Sequence, residues 1–350
     1  MLVTGGAGFI GSAVIWGLNQ RGCDDIVVVD RLRHTDKWRH LAPLRFRDYL
    51  EADQLLPRLH NNSLGAFQAI LHFGACSSTT ERDAAYLIQN NFEFTKILSH
   101  WAIKSKARFL YASSAATYGD GAMGMRDTDT DLDKLRPLNA YGFSKHLFDQ
   151  YAWRNGILDR IIGLKYFNVF GPNEDHKGDM RSMVYKATAQ VQETGKIQLF
   201  KSYRGEYRDG EQRRDFLYVK DAVDMTLHLA ERRDTTGLFN IGSGLAHTWL
   251  DLASSVCRAL GRQPAVEFIE MPMDLRTRYQ YFTQADIGKL RATGYARTPT
   301  RLDTAVQDYV VNYLVPGAVL GSEEPGSITT ELQRQQAHSR LSPSRRTRRR

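Results

Sequence analysis

Short runs of aliphatic and β-branched residues alternate with longer amphipathic stretches through the first half of the chain. Leu2 and Val3 lead into a glycine-rich turn, and apolar positions at helical spacing then predict a helix over residues 11–21. IVVVD (26–30), AILHFGA (69–75), RFLYASS (108–114) and IIGLKYFNVFG (161–171) each read as buried strands, with a helix predicted over 84–104. Strands separated by helices of this length imply an α/β protein built on a Rossmann-type, doubly wound parallel sheet.

The pattern changes after Gly171. PNEDHKGDM is a polar loop, residues 182–193 read as a helix, and 200–214 are charged and punctuated by glycine. DFLYVKDAVDMTLHLA returns to a strand followed by a helix, and LFNIGSG (238–244) to a strand with a glycine turn. From about Thr248 the short elements suggest a smaller lobe. The expected organisation is a dinucleotide-binding domain from 1–167 and 213–244, with an interwoven C-terminal substrate domain from 168–212 and 245–315. A basic tail, 316–350, is expected to be disordered.

Composition supports a folded body, with 42% hydrophobic and 25% charged residues. Cys23, Cys76 and Cys257 show no C-x-x-C spacing, which argues against a disulfide framework or a zinc site, so no metal is expected. Free thiols and the lack of any apolar run of about 18–20 residues point to a cytoplasmic protein that does not enter the membrane. The opening MLVTGGAGFIG has no basic n-region and does not read as a secretory leader. Net charge is +8, but seven arginines against three glutamates after Val315 supply half of it. SPSRRTRRR is read as solvated in preference to a nucleic-acid site, and the mildly basic body suits a small anionic substrate.

TGGAGFIG places Gly5, Gly8 and Gly11 directly after a strand and at the start of a helix. A tight turn needs glycine, a backbone approaching pyrophosphate has no room for side chains, and the helix N-terminus favours phosphate charge. Asp30 closes the second strand nineteen residues after Gly11, where an acid can accept from adenosine ribose hydroxyls. It would repel a 2′-phosphate that Arg31, Arg33 and Lys37 could neutralise, so the loop leaves NAD and NADP open.

YGFSK (141–145) sets Tyr141 one helical turn before Lys145, and Ser114 ends a neighbouring predicted strand. A phenol of ordinary pKa near 10 is a poor base at neutral pH. An adjacent ammonium and a nicotinamide charge would both favour phenolate, while serine aligns a substrate hydroxyl and Lys145 reaches the nicotinamide ribose.

These segments resemble extended short-chain dehydrogenases/reductases of the NAD-dependent epimerase/dehydratase family that act on nucleotide sugars. HFGACSSTTE (72–81), YASSAATYG (111–119), KYFNVFGPNEDHKGDM (165–180), RRDFLYV (213–219) and RYQYFTQAD (278–286) are similar to ADP-L-glycero-D-manno-heptose 6-epimerases within it. The resemblance covers residues 1–315. It implies C6 epimerisation of ADP-heptose for lipopolysaccharide inner core, by transient oxidation and re-reduction with tightly bound NADP, in a homo-oligomer. It carries cofactor contacts onto Phe9, Ile10, Asp30, Arg31, Lys37, Phe73, Gly74, Ala75, Cys76, Ser77, Asn90, Lys145, Val169 and Lys177. Substrate contacts fall on Ser114, Asn168, Asp179, Lys186, Phe200, Lys201, Arg214 and Tyr279. Ala52, Phe73, Asp179 and Lys186 depart from the family pattern.

Epimerisation involves hydroxyl protons on opposite faces of one carbon, so a second acid/base is expected beside Tyr141. Lys177 in the HKG loop is the candidate, with His176 beside it as a structural or substrate-edge group. Arg213, Arg214, Lys186 and Lys201 are candidate diphosphate ligands. A nucleotide-sugar dehydratase would need acids after the active-site serine, where AATYG has none. A UDP-sugar C4 epimerase is disfavoured by the HKG and RYQYFTQAD segments. A non-catalytic dinucleotide sensor would be expected to have lost Tyr141 or Lys145.

Overall fold

The computed structural model describes residues 1–276 and 279–322. Its first six strands are β1 (Leu2–Thr4), β2 (Val27–Asp30), β3 (Asp48–Glu51), β4 (Ala69–His72), β5 (Arg108–Ser114) and β6 (Ile162–Tyr166). There follow β7 (Asn168–Phe170), β8 (Ile197–Phe200), β9 (Arg213–Arg214) and β10 (Phe216–Tyr218). The last three are β11 (Gly237–Ile241), β12 (His247–Thr248) and β13 (Val266–Ile269).

Seven strands form one parallel sheet in the order β11-β6-β5-β4-β1-β2-β3. Leu2 pairs with both Val27 and Ile70, so β1 is central and its C-terminal end meets the crevice where the strand order reverses. The inner strands are buried on both faces, which is why they are nearly unbroken aliphatic runs. Alternate residues feed two cores. Val3, Val28, Leu71 and Leu110 pack on one side, and Leu2, Val29, Ile70 and Phe109 on the other.

The element order follows the expected strand–helix alternation, with three differences. β3 and the helix Ala52–His60 were not foreseen, because only Leu50 of β3 is buried at this sheet edge. The predicted helix over 84–104 is continuous, but Ile88–Glu93 within it is a π-helical segment. IIGLKYFNVFG is not one strand. β6 ends at Tyr166, and β7 leaves the main sheet to pair in parallel with β10. The physical cause is non-local: the Phe167 amide donates to Ile241 O, and the Asn168 amide to Asp215 O.

Small paired strands, β8 with β13 and β9 with β12, follow in the C-terminal half. Met1–Leu320 make one compact unit. From residue 323 onward the tail expected to be disordered lies outside the described residues, as does Arg278. Among the described residues no helix is long and apolar enough to cross a membrane.

Candidate active site

At the C-terminal end of β1 the chain turns through Gly5, whose φ of +67° suits glycine. A Cβ there would stand 2.6 Å from the Gly74 amide nitrogen, and one on Gly11 would stand 2.1 Å from Gly5 O. The turn is thus pressed against residues 73–74, and the Gly8 amide donates to Gly5 O at 3.0 Å. Phe9 opens the helix Phe9–Gln20, with Ile10 partly exposed behind it. Beside the turn lies a cleft of about 820 Å³, lined by Gly5, Asp30, Arg31, Lys37, Gly74, Ala75, Cys76 and Asn90. Such a cradle, closed to side chains at the glycines and open beside them, fits a dinucleotide.

Asp30 is 7% exposed, and its carboxylate organises this end of the cleft. Oδ2 accepts from the Ala7 amide at 2.8 Å. Oδ1 accepts from the Arg31 amide and the Lys37 ammonium, both at 2.6 Å. The Arg31 guanidinium reaches Asp53 at 2.7 Å and Asn90 at 3.1 Å. Of the residues expected to discriminate NAD from NADP, Lys37 is ion-paired with Asp30, while the Arg31 side chain pairs with Asp53.

The helix Ala140–Arg154 carries the expected acid/base pair. Its start is set by Asn139, whose side chain accepts from the Gly142 amide at 2.7 Å. The Tyr141 phenol comes up against Ser114, the last residue of β5, so these two converge as the sequence suggested. Burial pushes the phenol above its ordinary value, and the Ser114 contact offsets only part of that. Lys145 is 5% exposed and donates to Ala112 O at 2.8 Å. Burial lowers it to about 8, against the opposing charge of Asp149. The net shift of the phenol is therefore upward, opposite to the expected depression, and desolvation is its largest cause.

Asn91 is a residue that sequence reasoning missed. Its side chain accepts from the Cys76 amide at 2.8 Å and donates to Cys76 O and Ser144 Oγ, each at 2.9 Å. It thereby ties Cys76 to the helix Ala140–Arg154. The π-helical segment shifts the usual 3.6-residue phase and turns Asn91 inward, while Asn90 faces Arg31.

The loop after β7 carries Lys177, whose ammonium sits 5.0 Å from the centroid of the Phe9 ring. Burial pulls its pKa down and Glu174 opposes the shift. Glu174 is fully buried and accepts from the Ser182 amide and hydroxyl at 2.5 and 2.6 Å. Burial takes His176 down to about 4. Val169 lies on β7 between Asn168 and Phe170.

The other expected substrate residues sit around the C-terminal strands. Asn168 Oδ1 accepts from Thr283 at 3.1 Å, and Lys186 donates to Asp179 O at 2.6 Å. Phe200 ends β8, and Lys201 beyond it pairs with Glu270 at 2.8 Å. Arg214 is 5% exposed, with its guanidinium 4.9 Å from the Tyr279 ring and 5.6 Å from the Trp249 ring. The Trp249 indole donates to Tyr279 Oη at 2.8 Å. Asp215, also missed, gathers this region. Its buried carboxylate accepts from the Ser243, Gly244 and Ala285 amides at 2.7–2.9 Å.

Residues 1–242 match the model of the NAD dependent epimerase/dehydratase family. The chain belongs to this family. A nicotinamide dinucleotide is accordingly its cofactor, in keeping with the cleft at the glycine turn. The chain is 50% identical over 314 residues to an ADP-L-glycero-D-manno-heptose-6-epimerase of Nitratidesulfovibrio vulgaris, covering 89% of this chain and 97% of that protein. It is 45% identical over 324 residues to the Fusobacterium nucleatum protein of the same name, covering 90% and 98%. The crystal structure of the Helicobacter pylori ADP-L-glycero-D-manno-heptose-6-epimerase superimposes with a TM-score of 0.74 at 26% identity, over 89% of this chain and 94% of that one. The Thermus thermophilus UDP-glucose 4-epimerase in complex with NAD shares the fold, with a TM-score of 0.72 at 22% identity, over 91% and 99%.

Proposed function

We propose that this epimerase inverts C6 of the heptose in ADP-D-glycero-D-manno-heptose, giving ADP-L-glycero-D-manno-heptose for lipopolysaccharide inner core. The observation that carries the reading is the identity of one half over 97% of a relative so named. C6 bears a hydroxyl and has no neighbouring carbonyl to acidify its C–H bond, so direct proton exchange is closed to it. Bound nicotinamide dinucleotide supplies hydride acceptance and return, which leaves no net redox change.

In this reading Tyr141 takes the hydroxyl proton on one face of C6 and Ser114 holds that hydroxyl in line. Lys145, one turn along the same helix, supplies positive charge and reaches the nicotinamide ribose. Lys177 serves the opposite face as the second acid/base. Residues 1–167 with 213–244 form the dinucleotide domain, where Gly5, Gly8, Phe9, Ile10, Gly11, the 73–77 stretch and Asn90 line the cofactor, joined by Val169 from the other domain. Residues 168–212 with 245–315 form the substrate domain, where Asn168, Asp179, Lys186, Phe200, Lys201 and Tyr279 meet the nucleotide sugar together with Arg214 from the dinucleotide domain. Arg31 and Lys37 beside Asp30 favour NADP over NAD by offering cations to a 2′-phosphate. The same reading makes the protein a cytoplasmic homo-oligomer.

Cofactor-loaded protein incubated with ADP-D-glycero-D-manno-heptose is expected to yield the L-glycero epimer, read by chromatographic separation of the two. Absence of that product removes the assignment. A second expectation concerns pH. Burial holds Lys145 near 8, so its ammonium is present at pH 7 and mostly lost at pH 9. NADP affinity should therefore weaken as pH rises across that interval, and Lys145→Met should flatten the slope measured by calorimetric titration.

A further inference from the structure

His40 is completely buried, yet both of its ring nitrogens are engaged. Nδ1 lies 2.9 Å from Ala7 O, within the glycine turn. Nε2 lies 2.6 Å from Asp175 Oδ1, in the loop that carries Lys177. A carbonyl oxygen only accepts, so the Nδ1 proton points at the turn and Nε2 faces the carboxylate. The residues joined are 135 apart in sequence. We propose that His40 and Asp175 are positioning residues for Lys177, bracing its loop against the dinucleotide turn. This rests on the reading of Lys177 as the second acid/base.

The geometry around the pair is consistent in every direction. Asp175 stands two residues before Lys177, and the intervening His176 ring meets the His40 ring edge-on at 5.1 Å. Lys177 itself is set over Phe9, two residues after Ala7. On the loop's far side, Glu174 O accepts from the Lys177 amide while the Glu174 carboxylate holds Ser182. Glu174 thus anchors the base of the loop, and the bond from Asp175 to His40 ties it across to the turn. Burial alone would raise Asp175, but the bond and charge of His40 bring it below the usual carboxylate range. The connection continues to the cofactor's adenosine end. The Ala7 amide is held by Asp30, and Asp30 binds Lys37, whose carbonyl accepts from the His40 amide. Occupancy of the adenosine end is therefore linked through bonded groups to the placement of Lys177.

His40, Asp175 and His176 also bring one ligand atom each within 4.8 Å of one another, and His176 Nδ1 is buried without a hydrogen-bond partner. A metal site is the competing use of the cluster. Donors sharing a first-row metal at about 2.0–2.2 Å each stand roughly 3 Å or more apart. The 2.6 Å contact between His40 and Asp175 is instead that of a charge-assisted hydrogen bond.

The test uses the full chain. Hydrogen exchange of residues 171–182, followed by mass spectrometry, should slow when NADP is added to the wild type. In Asp175→Ala that NADP-dependent protection should be lost, and Asp175→Asn, whose side-chain amide can still hydrogen-bond Nε2, should restore part of it. Epimerisation by Asp175→Ala should fall roughly 10- to 100-fold in kcat, the scale of a misplaced catalytic group, with KM and bound NADP unchanged. In a Lys177→Met background the same substitution should cost nothing further. Exchange that ignores NADP in the wild type overturns the proposal. So does an equal additional loss in the Lys177→Met background, or stoichiometric metal that leaves with Asp175→Ala. Should the wild type fail to epimerise ADP-heptose, the exchange measurement still decides the coupling.

Discussion

Tyr141→Phe is expected to lower the epimerisation rate by about 10²–10⁴-fold, the usual scale for a positioned acid/base, while the protein keeps its bound nicotinamide dinucleotide. The substitution removes one oxygen and leaves the helix as it is. The Asn139 cap binds the Gly142 amide, Ser144 donates to Tyr141 O, and Lys145 donates to Ala112 O, none of which involves the phenol. What is lost is the group that meets Ser114 at the end of β5. Burial holds that phenol above its ordinary value, so it needs positive charge beside it to act as a base near neutral pH. Loss of rate with retained cofactor absorbance and unchanged thermal midpoint fits this role. Undiminished activity would show that another group takes the proton.

The parts of this site that were legible in the sequence are those whose cause is local. Gly5, Gly8 and Gly11 lie within one turn, and the structure excludes a Cβ at Gly5 and Gly11 by contacts with a neighbouring strand end and with the turn itself. Tyr141 and Lys145 share a face by helical spacing alone, and the expected helix is present over Ala140–Arg154. What stayed hidden depends on partners far along the chain. Nothing in IIGLKYFNVFG marks the break at Phe167, because the amides that redirect β7 are taken by Ile241 and Asp215. Asn91 and Asn90 are equivalent as letters, and only the π-helical phase of Ile88–Glu93 decides which one faces Cys76. His40 had no visible signal, since its use is defined by Ala7 on one side and Asp175 on the other. An excess of polarity at positions that prove fully buried, as for His40 and Asp215, is the one clue such residues share.

Asp149→Ala is expected to destabilise the protein by about 3–5 kcal/mol, the usual cost of stranding one member of a buried ion pair. Asp149 and Lys165 are 0% and 1% exposed and meet at 2.9 Å beneath the site. The carboxylate also accepts from the Tyr111 hydroxyl at 2.7 Å and the Ser113 hydroxyl at 2.8 Å. Lys165 has a second acceptor in Thr117 at 2.6 Å and lies 4.7 Å from the Tyr118 ring centroid, but no other carboxylate pairs with it among the described residues. Urea unfolding should show the loss, and Asp149→Leu combined with Lys165→Met should recover most of it, because a well-packed apolar pair replaces a buried ionic one at little cost. A double variant no better than the single one would mean that the hydroxyls of Tyr111 and Ser113, not the stranded ammonium, set the penalty. The same substitution reaches the chemistry. Asp149 is the largest influence holding the Lys145 pKa up against burial, so its removal should drop Lys145 below about 8. The alkaline loss of cofactor affinity should then begin at lower pH in Asp149→Ala than in the wild type. An unshifted profile would show that the charge of Asp149 does not reach Lys145.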